Sequence, residues 1–346
     1  MKAVTDIRLL IGGEEFTGWT RWEVESCLLT PSDAFSLSAP NINGELAGKI
    51  TAGSAAKLTL DGTVVMTGYV DEVNYSGGEV EVQGRDLFLF LVDCSARPGT
   101  HQKVTLLTLA RRLTENWPII WRLQSGITLA THNVKIEPGE AVWEVLAKVA
   151  RLDGVLMWCN PDGTADISRL DYTQIPMHRL RRYLPSSGKS EENNIMGGSV
   201  SQSWRDRFST VTQIGSTGNT ANSYERNSHK RYAATDTGIG VYRPIILNDS
   251  NLRDITMCRN KAELEKARRL HDAEVLNYAA SGHYGTPYHP AVSPVLYEPG
   301  VRVDVIDQDS GVADVYMLTT RRFSLDDEGG PVSELTLHPE GWMAAS

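Results

Sequence analysis

The chain has 346 residues, with 34 Lys and Arg against 43 Asp and Glu, a formal net charge of −9. That length implies two or three domains, and 41% hydrophobic with 22% charged residues belongs to a folded globular chain, not a disordered or fibrous one. The acidic balance argues against a protein that coats DNA by counterion release, and no apolar run approaches the roughly 20 residues of a membrane-crossing helix. Met1 to Leu10 carries Asp6 and Arg8 within its apolar stretch and lacks the layout of a signal peptide. Cys27, Cys94, Cys159 and Cys258 sit at no zinc-ligand or redox spacing. They read as free, buried thiols of a chain made in a reducing compartment.

Residues 1–97 read as a first β-barrel. Val4 to Ile11 ends at Gly12-Gly13, a tight-turn pair. Trp22 to Glu25 and Ala34 to Ser38 alternate apolar and polar side chains. Lys57 to Leu60 runs into Asp61-Gly62 and out into Val64 to Thr67, a hairpin signature. Gly77-Gly78 then separates Gly68–Val73 from Val80–Gln83. Short strands with turns every 8–12 residues or so indicate a barrel or sandwich.

Residues 98–190 read as a small α+β unit. Leu106, Leu109, Ala110 and Leu113 are spaced for a helix that Pro118 ends. Val142, Val145, Leu146 and Val149 share a second helical face, closed by Gly154. Val155 to Cys159 and Ala165 to Ser168 form a hairpin around Asn160-Pro161-Asp162-Gly163. Residues 185–192 look like an exposed linker.

Residues 191–346 read as a second barrel. Two strands flank Trp204 to Phe208, and 215–231 is a polar loop. A long helix spans 260–279, and strands at Val301–Val305, Val315–Phe323 and Val332–Leu337 close the chain. The segment 193–240 is open between completing the first barrel and starting the second. Each half contains the same series: Gly53 or Gly300, a strand, a hairpin, a long strand, a Gly-Gly turn and a last strand. That layout marks either an internal repeat or a chance likeness between two antiparallel sheets. The fold class is mainly β with an α+β insertion, read as two related antiparallel barrels in one chain.

Chemistry-bearing motifs are missing. There is no Gly-x-Ser-x-Gly elbow, and Gly188-Lys189-Ser190 lacks the upstream glycine of a phosphate loop. Asp307 to Gly311 starts like a calcium loop, but Val312 and Leu318 stand where Gly and Glu are required. His271, His283 and His289 complete no metal spacing. No catalytic, metal or cofactor residue is assigned. Two surfaces remain for binding: the pairs Trp19/Trp22 and Trp117/Trp121, which could stack on sugars or bases, and Arg179, Arg181 and Arg182, a candidate partner surface. A cell-wall hydrolase is the first rival reading, without a motif to carry it. A glycan-binding adhesin using the tryptophans is the second.

Thr67-Gly68-Tyr69-Val70-Asp71, then Gln83-Gly84-Arg85-Asp86-Leu87, then Leu91-Val92-Asp93-Cys94-Ser95-Ala96 resemble the first barrel of Mu-type phage baseplate hub proteins. Val142 to Gly163 is similar to that family's inserted domain, and Tyr297 to Val303, with Gly300, to its second barrel. The resemblance implies a homotrimer whose six barrels make a pseudo-sixfold ring, adapting a trimeric tail spike to the hexameric tail tube. The expected partners are that spike, the tube and the baseplate wedge proteins. DNA would pass through the channel without specific binding. The implied location is the virion tail baseplate, after assembly in the host bacterial cytoplasm, without membrane insertion. Gly68 and Gly84 are then expected to permit close backbone approach, and Arg85 and Asp86 to fix the turn leaving the barrel. Tyr69, Asp71 and Asp93 complete the shared motif.

Overall fold

The computed structural model describes residues 5–41, 44–215, 230–250, 252, 254–326 and 330–340. The loop expected over 215–231 lies almost wholly outside them, as does Gly329 of the expected Gly-Gly turn.

Seven strands open the chain: β1 (Ile7–Ile11), β2 (Glu14–Phe16), β3 (Arg21–Cys27), β4 (Ala34–Pro40), β5 (Ala55–Leu60), β6 (Thr63–Ser76) and β7 (Glu79–Asp86). Their turns follow from residue chemistry. Gly12-Gly13, Asp61-Gly62 and Gly77-Gly78 all have positive φ at both central positions, the geometry whose twist suits a two-residue hairpin.

The α+β unit follows. It comprises α1 (Leu89–Asp93), β8 (Gly99–Val104), α2 (Leu106–Leu113), β9 (Ile120–Leu123), β10 (His132–Ile136), α3 (Val142–Asp153), β11 (Leu156–Cys159) and β12 (Thr164–Ser168). Thr105 caps α2 by accepting from the Thr108 amide, and Gly154 closes α3 at φ 63°. β8 pairs with β10, and β12 lies between β11 and β9. Leu106, Leu109, Leu146 and Ile167, all fully buried, help to give the unit its own core.

The rest holds β13 (His178–Arg182), β14 (Ile195–Gln202), β15 (Thr210–Gly215), β16 (Arg231–Thr235), β17 (Pro244–Asp249), α4 (Ile255–Ala273), β18 (Glu274–Ser281), β19 (Tyr284–Gly285), β20 (Val295–Leu296), β21 (Arg302–Asp307), β22 (Val312–Asp326) and β23 (Gly330–Pro339). Two placements differ from the sequence reading, those of β13 and of the long helix, and a third, that of 193–240, is open there. β13 falls within 98–190 but runs parallel to β21, so it belongs with the C-terminal strands. The segment 193–240 does not complete the N-terminal strands: β14 pairs with β18, while β15 pairs with β16 and β17 in a separate small sheet. The long helix starts at Ile255, where Asp254 accepts from the Met257 amide at 2.8 Å, and stops at Ala273. Residues 274–281 become a strand because Leu276, Tyr278 and Ala280 alternate into the core.

The repeat is explicit in the topology. The N-terminal ladder runs β3-β4-β7-β6-β5-β1, and the C-terminal ladder β14-β18-β23-β22-β21-β13. Each strand holds the same place in chain order in its own half. A rung across four strands, Val24–Phe35–Gly84–Val70, is matched by Val200–Leu276–Leu337–Leu318. The long middle strands carry equivalent bulges, between Val70 and Glu72 and between Leu318 and Thr320. Gly53 donates to the Val70 carbonyl at 2.8 Å, and the Val70 amide donates to Ser54 at 2.9 Å. Gly300 donates to Leu318 at 2.8 Å, and the Leu318 amide to Val301 at 3.0 Å. Both glycines have positive φ. One strand breaks the pattern: β1 is antiparallel to β5, whereas β13 is parallel to β21.

The two β units are fused. The far half of β22 pairs with β3, from Thr320 opposite Cys27 to Leu325 opposite Trp22. One sheet therefore runs through both, over a continuous core that includes Val24, Leu37, Leu58, Leu276, Leu318 and Phe323.

Gly84 is dictated by packing. A Cβ there would lie 2.2 Å from the Tyr69 carbonyl oxygen and 2.5 Å from the Phe35 ring. Gly84→Ala is expected to lower stability by about 1–3 kcal/mol through overpacking, whereas Gly99→Ala, which meets nothing within 4 Å, stays within about 0.5 kcal/mol of the parent. Equal urea midpoints for the two variants would contradict this account.

Candidate functional site

The motif residues gather where the first β unit meets the α+β unit. Gly68 lets β6 and β7 approach: a Cβ there would sit 1.9 Å from the Arg85 carbonyl oxygen. Tyr69 packs edge-on against Phe90 at 5.2 Å, linking β6 to α1. Asp71 is the extra residue of the β6 bulge. Arg85 lies between Asp71 and Asp93. Its Nε donates to Asp71 at 2.6 Å and its Nη2 to Asp93 at 2.6 Å. These bonds, with Asp93 the stronger partner, hold the guanidinium above its ordinary range and the Asp93 carboxyl below its own. A bulge, a strand end and a helix end are thereby tied by charge-assisted bonds.

Asp86, one residue on, is buried. Its Oδ1 accepts from Ser32 at 2.7 Å and from the Phe88 amide at 2.9 Å, so it shapes the turn out of the sheet. It faces a polar cavity of about 60 Å³ where all three units meet. Asp33 comes from the β3–β4 connection and Asp86 from the end of β7, Asn160 from the β11–β12 turn, and Glu298 and Arg321 from the C-terminal half. Burial, then the charge of Asp33, raises the Asp86 carboxyl to about 7. Burial raises Asp33 to about 6. Arg321 is almost fully buried, with its guanidinium 4.1 Å from the centre of the Phe323 ring. Burial lowers it to about 10, opposed by the charges of Asp33 and Glu298. Its Nε and Nη1 have no hydrogen-bond partner among the described residues. Asp33, Glu298 and Arg321 were not singled out from the sequence. The available signal was an arginine two residues before Phe323 in an apolar strand, but the bulge that turns both inward is not visible in the sequence.

The arginine cluster is not the open surface expected. Arg181 is buried and donates to the Asp304 carbonyl at 2.7 Å, with its Nη2 on the Asp304 carboxylate. Arg182 grips the buried Asp307 with two bonds, at 2.7 and 2.5 Å. Burial alone would raise Asp307, but the bonds from Arg182, Tyr278 and Ser310 hold it at about 2. Both arginines therefore pin β13 to β21, because the parallel register sets them beside Asp304 and Asp307. Arg179 is half-buried on the same strand. Gly300 serves the turn into β21 described above.

The tryptophans expected to offer a stacking surface are mostly inside. Trp19, Trp22 and Trp121 are buried, and Trp117 stacks on Phe90 at 5.3 Å. This removes the platform on which the adhesin reading stood. His178 and His283 are buried beside Tyr297 and between Trp22 and Phe323, and burial lowers both to about 4.

These groups give opposite pH dependences. Asp33 and Asp86 bind protons more readily folded than unfolded, so their effect on stability worsens as pH rises from the ordinary carboxylate value of 3.8 toward about 6 and 7. His178 and His283 act the other way: stability falls as pH drops from 6.5 through about 4, because the unfolded chain takes up the protons. Asp86→Asn keeps an acceptor for Ser32 and Phe88 but cannot ionise. Relative to wild type it is expected to gain stability between about pH 5 and about pH 8, read from urea midpoints at each pH. A gap that stays constant over that range would refute the assignment.

Three family models match in succession. "Mu phage baseplate assembly protein GpP-like, N-terminal" covers residues 6–86, "Baseplate hub protein gp44-like, second domain" covers 89–169, and "Tail protein, C-terminal domain" covers 275–342. Baseplate hub protein gp44 of Escherichia phage Mu is 26% identical over 278 residues, 76% of this chain and 70% of its own. The tail protein from Neisseria meningitidis MC58 superposes with a TM-score of 0.82 at 27% identity, over 98% of both chains. The 43 kDa tail protein of prophage MuSo2 from Shewanella oneidensis shares the fold, with a TM-score of 0.81 at 23% identity over 98% of this chain and 99% of its own. The matched segments follow the order of the first β unit, the α+β unit and the closing strands, and in that order and in fold the chain is similar to the Mu-type phage baseplate hub proteins.

Proposed function

We propose that this baseplate protein is a scaffold rather than a catalyst. Three copies close into a ring of six β units, which adapts a trimeric spike below to a hexameric tube above. The observation that carries this reading is the duplication: two ladders of the same strand order, with matched bulges and matched Gly53 and Gly300 contacts. A chain with two equivalent units needs only threefold closure to present six. Closed cyclic assembly is the ordinary outcome for homo-oligomers. The tail spike, tail tube and wedge proteins are the partners that such a ring would hold, and its centre would pass DNA. A net charge of −9 suits a ring that has no task of gripping DNA. Among the described residues no helix is long and apolar enough to cross a membrane.

Light scattering of the purified chain is expected to give a mass near three times 38.1 kDa, with rings of apparent sixfold outline in projection. A monomer across the accessible concentration range would overturn the proposal.

A further inference from the structure

The duplicated ladder contains one joint filled within the chain and a second, equivalent joint left open. In the filled joint, the half of β22 beyond its bulge pairs with β3. The equivalent elements in the other half are β6 beyond its bulge and β14. Neither has a partner on the corresponding edge among the described residues. β6 pairs with β5 only as far as Tyr69, and its remaining half touches β7 alone, while β14 pairs with β18 alone. Such unpaired strand edges are templates for pairing with another chain.

The geometry points to β6 of one copy pairing antiparallel with β14 of a second copy, repeating head to tail what β22 and β3 do inside the chain. This rests on the ring reading above and names the contact that closes it. The register follows from the repeat. Tyr75 lies five residues after Val70, as Phe323 lies five after Leu318, and Val200 holds the rung position of Val24. Phe323 opposite Val24 in the filled joint thus becomes Tyr75 opposite Val200 in the open one. The pair Arg322 and Glu25 becomes Asn74 and Ser201, and Ser324 and Glu23 become Ser76 and Ser199.

The side chains suit that occupant. An aromatic again faces a β-branched residue on the inner side, a favourable cross-strand pair. Phe323 and Val24 are fully buried, whereas Tyr75 is 44% exposed and Val200 half-buried at the fringe of the same core. The Tyr75 hydroxyl donates toward the Leu46 and Ile50 carbonyls at 3.1 and 3.3 Å, which sets its ring in place before any partner arrives. On the outer side Asn74 and Ser201 are exposed and uncharged, so pairing them buries no unmatched charge.

The test is disulfide formation. Directly opposed residues have Cβ atoms about 4.5–5.5 Å apart, close enough to bridge with small adjustment. Mixing Asn74→Cys chains with Ser201→Cys chains and oxidising is expected to give a covalent dimer absent from either variant alone and from wild type, whose native cysteines are the control. The double variant is expected to give a covalent trimer as its largest product. Asn74→Cys paired with Gln202→Cys, one residue out of register, gives none. Both lead positions are exposed, and scattering under reducing conditions shows whether each variant still assembles. Trimers by scattering without the 74–201 bridge would overturn this joint and leave the ring reading standing. A ladder of products running beyond the trimer would support the joint and overturn threefold closure. A chain that neither bridges nor assembles would overturn both.

Discussion

β22 has fifteen residues and β21, its hairpin partner, only six. The surplus half of β22 would leave a row of backbone donors and acceptors unpaired beside a hydrophobic core, which is costly. β3 takes that row, and the rest of the architecture depends on the exchange. The bulge at Leu318 and Thr320 redirects the strand and turns Thr319, Arg321 and Phe323 inward. Phe323 then lies opposite Val24, and two sheets become one with a common core. The junction is reinforced outside by Arg322, whose guanidinium reaches Glu25 at 2.7 Å and Glu23 at 3.2 Å. Those groups are partly exposed, so they fix register more than they add stability.

The same exchange explains the buried charges. Turning residue 321 inward carries an arginine across to Asp33, in a region that also receives Asp86 and the tip of the β11–β12 hairpin. Burying one unpaired cation would be prohibitive, and clustering it with carboxylates moderates that cost without removing it. The raised Asp33 and Asp86 and the lowered Arg321 record the residual desolvation. Each of the three units contributes lining residues to this cavity, so the desolvated charges sit at the junction of all three. The Arg85 network nearby works the opposite way: partly exposed and fully paired, it orients α1 at little desolvation cost.

Much of this was legible in the residues because it is local. Asp61-Gly62 and Gly77-Gly78 dictate their turns, Gly154 closes its helix, and the layout of a repeat could be read around Gly53 and Gly300. What escaped depends on distant partners. Val275 and Leu276 fit a helical face as well as a strand, and only β14 and β23 on either side of β18 decide between them. Arg181 and Arg182 read as surface until Asp304 and Asp307, more than a hundred residues away, were placed beside them. The tryptophans at 19, 22 and 121 carry no local sign of burial. Bulges are invisible for the same reason, since one extra residue against a partner strand is a property of the pair.

The two β units agree in their ladders and differ in what is attached. Between β3 and β4 the first unit has only a short connection, whereas the second inserts β15, β16, β17 and α4 between β14 and β18. The α+β unit likewise occurs once, after β7. In the proposed ring, six ladders of the same strand order would therefore carry three copies of each attachment. A sixfold partner can be matched only by surfaces that repeat six times, which are the ladders. A threefold partner would find a unique set of three contacts only on surfaces that occur three times, which are the insertions. In the proposed ring, duplication followed by unequal insertion would thus divide the contacts with hexameric and trimeric neighbours between different parts of one chain.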